Sequence, residues 1–397
     1  MLSTPTAKDA YVTGAHRTRH PEETWNAVRP LLARFGITRV ADVTGLDALG
    51  IPVMMAVRPL ATTVSVSQGK GASSLAAKVS AVMEGVELWH AEQVHPPLTA
   101  RSVSARDLQL PYQYADLITS PGALVTENTP LDWVGARGLR DGAPTHLPLD
   151  TVCFLPAPSR RPQLPGIGSN TNGLASGNCR AEAALHGLYE IVERDALSGP
   201  TATGPAERAV DPATVDDPVC AELIRRIAAA GAWLHLTHVP NRFGVPCYTA
   251  HLWSEDVPLR CFGAGAHGTP AIALSRAITE AAQSRLTAIA GTRDDIPPIY
   301  DQVRHADAPR PEGPRDTVPY PATCADPPPA FTDVDRELAW VGERVATVTG
   351  QQPLVVDLST EDAFAVVKVV APGAGLDTHR MHPADAARRG AHEESRP

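Results

Sequence analysis

Two predicted helices that each carry an acidic stripe on one side are the feature that most constrains the fold of this chain. The first lies in "KVSAVMEGVELWHAE" (78–92), where Ser80, Glu84 and Glu87 fall on one side because each residue turns a helix by roughly 100°. No Lys or Arg balances this stripe. Like charges one turn apart destabilise a helix slightly, so the spacing indicates a partner outside the helix.

The second acidic helix lies in a distant part of the chain. "RAEAALHGLYEIVERDAL" (180–197) places Glu182, His186, Glu190 and Glu193 on one side, opposite an apolar face. Each helix follows a Gly-rich stretch, "SQGKGAS" in the first case and "GSNTNGLASGN" in the second. Solvated surface faces remain the simpler alternative, but the repetition favours two stripes that face each other across a cleft and hold divalent cations.

The type of ligand predicts the cation. Carboxylate oxygens without neighbouring Cys or paired His favour Mg²⁺ over zinc, and Mg²⁺ commonly lies between carboxylates and substrate phosphates. Gly-rich turns at helix starts attract anions through free N–H groups and the helix dipole. Lys70, within "GKG", is a candidate phosphate contact. The G-x-x-x-x-G-K-[ST] pattern is absent, so this is not a P-loop.

A glycine motif at 263–268, "GAGAHG", satisfies G-x-G-x-x-G before a third predicted helix. No acidic residue follows at the spacing of a dinucleotide-binding unit, so we favour glycines that let the chain approach a neighbouring helix. The third helix carries Arg276, Glu280 and Gln283 on one face. Its Arg either clamps phosphate or belongs to a surface ion-pair network.

Composition excludes several classes of protein. The net charge of −9 and the lack of a basic stripe argue against a nucleic-acid partner. No apolar run reaches the roughly 18 residues of a membrane span, and the start of the chain does not resemble a signal peptide. We therefore expect a cytoplasmic location and no membrane partner. The six cysteines lie far apart, which predicts neither disulfides nor structural zinc.

Strand-like and helical segments are mixed along the chain. "IPVMMAVRP", "TTVSVSQ", "PCYTAHLW" and "FAVVKVVAPG" are typical of strands, and "ETWNAVRPLLARFG" predicts a helix from 23 to 36. Residues 296–330 are too rich in proline for regular structure, so we expect an exposed connection there. The polar residues 378–397 predict a disordered tail.

Four blocks together resemble the YcaO family. They are "GITRVADVTGLDALGIPVMMAVRP", "SQGKGASSLAAKVSAVMEGVELWHAE", "SNTNGLASGNCRAEAALHGLYEIVERDAL" and "RAITEAAQSRLTAIAGTRDD". The resemblance implies one YcaO domain over residues 10–377. It implies an α+β, YcaO-type ATP-binding fold in which β-sheets packed with helices enclose a Mg-nucleotide cleft, with ATP and Mg²⁺ as cofactors.

The resemblance also assigns residues. It implies metal ligation by Glu84, Glu87, Glu190 and Glu193, and cofactor contacts from Ser80, Asn178, Glu182, Arg194, Gln283 and Arg285, to which the Gly-rich turn adds Lys70. It assigns no catalytic nucleophile. Two positions depart from the family pattern, with Leu88 where an Arg often stands and Ala175 where a Ser is common.

In the implied reaction a nucleophile adds to a peptide backbone carbonyl while the amide oxygen takes the γ-phosphoryl group of ATP, and phosphate then departs. External sulfide would give a thioamide, side chains of Cys, Ser or Thr would give azolines, and an amine would give a macroamidine. The chain ends "AHEESRP" rather than in Pro-x-Pro-x-Pro, and "VSQGKG" is similar to members that work with a TfuA-type partner. We therefore expect a thioamide on a ribosomally made precursor peptide.

Several alternatives stay open at this point. An azoline cyclodehydratase or a macroamidine-forming enzyme of the same family would show the same blocks. A non-catalytic ATP-binding accessory protein would also keep the acidic pairs. A homodimer is compatible with the sequence, which does not fix the oligomeric state.

Overall fold

The computed structural model describes residues 16–117, 124–154, 170–198, 206–292, 310–325 and 328–375. Its helices are α1 (Pro21–Val28), α2 (Ser74–Gln93), α3 (Leu149–Val152), α4 (Arg180–Ser198), α5 (Pro218–Ala229), α6 (Pro270–Ala290), α7 (Tyr320–Thr323) and α8 (Val334–Thr349). Its strands are β1 (Arg39–Asp42), β2 (Val53–Val57), β3 (Val66–Lys70), β4 (Leu98–Val103), β5 (Leu131–Gly138), β6 (Pro144–Pro148), β7 (Leu174–Gly177), β8 (Arg208–Asp211), β9 (Trp233–His238), β10 (Cys247–Trp253), β11 (Cys261–Ala266), β12 (Val318–Pro319), β13 (Leu354–Asp357) and β14 (Ala365–Val370).

The strands form three sheets, so the predicted α+β class is confirmed. The first sheet is the antiparallel set β1-β2-β3, and the second has the order β11-β10-β9-β8-β12. The third has the order β4-β5-β13-β14-β7, with β6 paired to β5. Strand β7 lies beside β14, far along the chain, so this sheet joins the middle of the sequence to its end.

Each sheet ends in a strand that leads into one of the three long helices. Strand β3 precedes α2, β7 precedes α4, and β11 precedes α6. Side chains of α2, α4 and α6 help to form separate buried clusters, which contain Val82, Leu188 and Ile278 respectively. The three helices therefore each bury one face against a sheet, and the sides that carry the acidic residues are left for one another.

Glycines bring these strands into backbone contact with their helices. A Cβ atom at Gly69 would lie 2.0 Å from the backbone N of Ala81, and one at Gly263 would lie 2.2 Å from the N of Ala281. At Gly177 it would lie 2.4 Å from the N of Ala183. No side chain fits at these distances. The prediction that the glycines of "GAGAHG" permit close approach to a helix is confirmed for Gly263 and Gly265, which lie in strand β11.

Two predicted elements differ from the structure. Helix α1 ends at Val28 and continues only as a 3₁₀ turn (Arg29–Leu31), because Pro30 has no N–H to extend the helix. The proline-rich region also contains regular structure, since β12 pairs with β8 and Tyr320 of α7 is buried beside it. The expectation of an irregular connection is therefore wrong for Val318–Thr323.

Some expectations fall outside the described residues. The polar tail at 378–397 and residues 296–309 belong to this group. Among the helices of the described residues, none is both long and apolar enough to cross a membrane.

Candidate functional site

Helices α2, α4 and α6 present their acidic sides to one another. Glu87 of α2 accepts hydrogen bonds from the backbone N (2.8 Å) and Oγ (2.6 Å) of Ser176, on the strand that leads into α4. Lys70, at the end of β3, forms an ion pair with Glu280 of α6. Arg276 of α6 contacts the Nε2 atom of His186 on α4 at 3.2 Å. The acidic stripes of the two sequence-distant helices thus converge, as the sequence predicts.

The three helices place acidic residues at equivalent positions. Glu84, Glu190 and Glu280 occupy the same position in their helices. Each lies eleven residues after the residue that precedes its helix. Three residues further on, α2 and α4 carry Glu87 and Glu193. We refer to these five carboxylates (Glu84, Glu87, Glu190, Glu193 and Glu280) as the acidic cluster. It is drawn from three separate parts of the chain.

Burial and mutual repulsion make ionisation of two members of the acidic cluster, Glu87 and Glu193, unfavourable. Burial raises the pKa of Glu87 to about 8, the hydrogen bonds from Ser176 oppose this increase, and the charges of Glu84 and Glu190 add smaller increases. Burial also raises the pKa of Glu193, which is 3% exposed, and the charge of Glu280 adds to the effect. Such carboxylates are stabilised in the charged form by a divalent cation. The donor set of hard oxygens therefore fits Mg²⁺.

Three cationic side chains surround the acidic cluster. Burial opposes ionisation of Glu280, but Lys70 and Arg194 outweigh it and hold its pKa below the ordinary value. Arg194 lies 3.5 Å from Oε1 of Glu190. Burial, with the charges of Arg17 and Arg276, keeps the pKa of His186 well below its ordinary value. A neutral His186 can accept a hydrogen bond from Arg276. This contact favours a packing role for His186 over a role in proton transfer.

Asn178 and Glu182 lie at the start of α4, where Glu182 binds the segment that precedes α1 and Asn178 binds α1 itself. The two oxygens of Glu182 accept hydrogen bonds from Arg17 NH1 (3.0 Å) and from the N (2.8 Å) and Oγ1 (2.6 Å) of Thr18. Asn178 donates to Glu182 at 3.1 Å and accepts from Oγ1 of Thr24 at 2.7 Å. Both residues fix residues 17–24 against α4, and their contact with ATP stays a prediction.

The remaining predicted cofactor contacts divide into two groups. Ser80 and Gln283 are half-buried on the acidic sides of α2 and α6, and Nε2 of Gln283 lies 3.4 Å from the carbonyl oxygen of Gln68. Arg285, only 2% exposed, instead binds Asp47 (3.0 Å), Ser254 (2.5 Å) and Asp256 (3.1 Å). None of these three partners belongs to the acidic cluster. The structure therefore gives Arg285 a role in joining loops, and its contact with nucleotide stays a prediction.

Glu280 is the member of the acidic cluster that the sequence analysis did not assign. Its signal was available, because "SSLAAKVSAVME" and "TPAIALSRAITE" place Glu84 and Glu280 at the same distance from a Ser or Thr that precedes the helix. Treating the third helix separately hid this equivalence. The aligned starts of the helices show it directly.

A second group of polar residues lies beside α4. His16 and His267 each lie within 4 Å of the Glu337 carboxylate, and Tyr189 donates to Oε1 of Glu337 at 2.6 Å. The backbone N of Thr269 donates to Nδ1 of His267 at 2.9 Å. A neutral His267 then carries its hydrogen on Nε2, which faces Glu337, and offers no lone pair there. This group is a hydrogen-bonding network rather than a metal site.

Comparison with known proteins identifies the family. Residues 68–375 match the model of the YcaO cyclodehydratase family, which is described as ATP- and Mg²⁺-binding. An uncharacterized protein of Mycobacterium tuberculosis is 42% identical over 380 residues, covering 93% of this chain and 84% of that protein. A Rhizobium leguminosarum bv. trifolii protein, described as an uncharacterized protein in the tfuA 3' region, is 40% identical over 296 residues, covering 71% of this chain and 70% of that protein.

A solved structure supports the same assignment. YcaO from Methanopyrus kandleri, bound with AMPPCP and Mg²⁺, is similar with a TM-score of 0.67 and 26% identity, covering 93% of this chain and 94% of that one. The predicted family and fold are confirmed, and ATP and Mg²⁺ are confirmed as the ligands of the family. The matched segment contains all three acidic helices and the whole acidic cluster, and the chain belongs to the YcaO family.

Proposed function

We propose that this protein uses ATP and Mg²⁺ to phosphorylate a backbone amide oxygen of a ribosomally made precursor peptide. The observation that carries the proposal is the acidic cluster, in which carboxylates from α2, α4 and α6 meet with raised pKa values at Glu87 and Glu193. We assign the function to one YcaO domain over residues 10–377 and to the cytoplasm, where ATP is available.

The acidic cluster would hold the metal. Glu84, Glu87, Glu190 and Glu193 are the proposed ligands, and we add Glu280 because it occupies the position equivalent to Glu84 and Glu190. Bound there, Mg²⁺ would neutralise charge on the triphosphate and so assist phosphoryl transfer. Ser176 orients the Glu87 carboxylate from its outer side through two hydrogen bonds. This leaves the second oxygen of Glu87 for the cation.

The nucleotide would lie against the cationic and amide side chains at the rim of the acidic cluster. Lys70 is placed to exchange its ion pair with Glu280 for a phosphate oxygen. Arg194, Gln283 and Ser80 are the other proposed contacts on the three helices. Positioning and charge neutralisation suffice for this transfer, so no protein nucleophile is required. We assign no catalytic residue.

We propose a thioamide as the product, with sulfide as the nucleophile and a TfuA-type protein as partner. The similarity to the Rhizobium relative from the tfuA 3' region supports this choice. The description of the family as cyclodehydratases favours azoline formation as the second candidate. A macroamidine-forming enzyme and a non-catalytic ATP-binding accessory protein are the remaining alternatives, and both are compatible with the acidic cluster.

Mass spectrometry of a treated peptide tests the function. The protein is incubated with ATP, Mg²⁺ and the peptide encoded beside its gene, with and without sulfide and a TfuA-type protein. Exchange of one oxygen for sulfur indicates a thioamide, whereas loss of water indicates a ring or an amidine. An unchanged peptide together with ATP binding would favour the accessory protein. Failure to bind ATP and Mg²⁺ would contradict the proposal itself.

A further inference from the structure

Lys368 is a buried cation close to the acidic cluster. It lies in the centre of β14, between Val367 and Val369, and is 3% exposed. Its Nζ atom donates to the carbonyl oxygens of Asn170 (2.5 Å) and Asn172 (2.8 Å). An ammonium group in a sheet interior is costly unless hydrogen bonds and an opposite charge compensate for lost hydration. Two carbonyl groups supply hydrogen bonds but no net negative charge.

The compensating charge belongs to Glu190. Burial lowers the pKa of Lys368 to about 8, and the carboxylate of Glu190 is the largest influence that opposes this shift. Glu190 lies on the acidic side of α4, and Lys368 hydrogen-bonds to the chain that leads into β7. This placement connects a core strand of the third sheet to one proposed metal ligand.

A turn at residues 170–173 makes the connection by hydrogen bonds. The backbone N of Gly173 donates to Oε2 of Glu190 at 3.1 Å. Gly173 has φ +74°, and a Cβ there would lie 2.2 Å from the carbonyl oxygen of Val369, so the turn is pressed against β14. Val369 N also donates to the carbonyl of Gly173 at 2.8 Å. Lys368 thus binds the carbonyl oxygens of Asn170 and Asn172 in this turn, and the N–H group of Gly173 in the same turn orients the Glu190 carboxylate.

We propose that Lys368 is a positioning residue for the metal site, which acts on Glu190 through the turn at 170–173. The proposal deepens the proposed function and rests on Glu190 being a metal ligand. Groups that orient a metal ligand commonly change metal affinity by about 10- to 100-fold when they are removed. Lys368 itself touches neither metal nor nucleotide.

Metal affinity of substituted proteins tests the proposal. Lys368→Met removes the charge and the hydrogen bonds, and we expect its affinity for Mg²⁺ in the presence of AMPPCP to fall by about 10-fold or more in calorimetry. Lys368→Arg keeps a charge and donors, so it should recover most of the affinity. Val366→Ala is the matched control, because Val366 is fully buried on the same strand and the same side of β14 as Lys368. It should weaken folding without weakening metal binding.

The possible results distinguish failure of the proposed function from failure of the positioning role of Lys368. If the unaltered protein binds no Mg²⁺ with AMPPCP, the proposed function fails. If the unaltered protein binds and Lys368→Met binds equally well, or if Val366→Ala loses as much affinity, the positioning role is wrong. Should Lys368→Met not fold, Lys368→Gln keeps one donor, and unchanged Mg²⁺ affinity in that variant would equally overturn the proposal.

Discussion

The strand–helix units β7–α4 and β11–α6 share one geometry but differ in charge. Seven, eleven and fourteen residues after the residue that precedes the helix, α4 carries His186, Glu190 and Glu193. At the same positions α6 carries Arg276, Glu280 and Gln283, and all of these except Glu193 are half-buried. With His186 neutral, the α4 stripe has two carboxyl groups and no cation, whereas the α6 stripe pairs one carboxylate with Arg276. In the proposed site, the same backbone arrangement would therefore hold a cation on one side and accept an anion on the other.

Removing a proposed metal ligand from α4 should have the largest effect on the difference between the two units. Glu193→Gln keeps the size of the side chain but removes a buried carboxylate, so we expect Mg²⁺-dependent ATP turnover to fall by more than about 100-fold. Phosphate release measured against Mg²⁺ concentration checks this. A variant that turns over ATP normally would remove Glu193 from the metal site.

Adding a carboxylate to α6, at the position where α4 has Glu193, tests the proposed nucleotide side of the site. Gln283→Glu adds a negative charge where we place the nucleotide, and like-charge repulsion should raise the KM for ATP by about 10-fold, or 1.4 kcal/mol. Gln283→Met removes the amide without adding charge and should change KM less. Equal effects of the two variants would show that charge at this position is irrelevant.

The smallest expected effect concerns stability of the metal-free protein. The pKa of Glu87 is raised to about 8, whereas an unfolded chain releases this proton near the ordinary value. Stability contributed by the protonated group is therefore present at low pH and lost as pH rises from about 4.5 to about 8. Glu87→Gln cannot ionise, so its melting temperature in chelator should decline several degrees less between pH 5 and pH 8.

A surface carboxylate provides the control for this measurement. Arg225 and Arg226 lower the pKa of Glu222 to about 2 through side-chain hydrogen bonds. Its contribution is present above the ordinary pKa and disappears only in acid, so Glu222→Gln should keep the slope of the unaltered protein between pH 5 and pH 8. If Glu222→Gln flattened the slope as Glu87→Gln does, burial of Glu87 would not be its cause.

The long helices could be predicted from sequence because their signals are local. A serine at 73 accepts a hydrogen bond from Ala76 N at the start of α2, and a left-handed Gly291 ends α6. Apolar spacing fixed which sides of α2 and α4 are buried. The repetition of an acidic stripe on two helices predicted their convergence, although Arg194 of α4 pairs with Glu190 within the same helix.

The rest depends on contacts between distant parts of the chain. The pairing of β7 with β14 joins residues that no local pattern relates. The interaction of Lys368 with Glu190 therefore could not be predicted from the sequence. The family resemblance assigned Arg285 to the nucleotide, but its partners Asp47 and Asp256 lie on loops that only the folded chain brings to it. Charge partners of this kind cannot be inferred from helical periodicity.

The glycines at 69, 177 and 263 have a consequence for divergence within the family. Because backbone meets backbone at these junctions, the distance of each of α2, α4 and α6 from the strand that precedes it does not depend on the size of an intervening side chain. Substitutions elsewhere in the sheets can then accumulate without moving each acidic helix relative to its own strand. Relatives that select different peptides could thus inherit the same coordination geometry while their substrate-facing surfaces are remodelled.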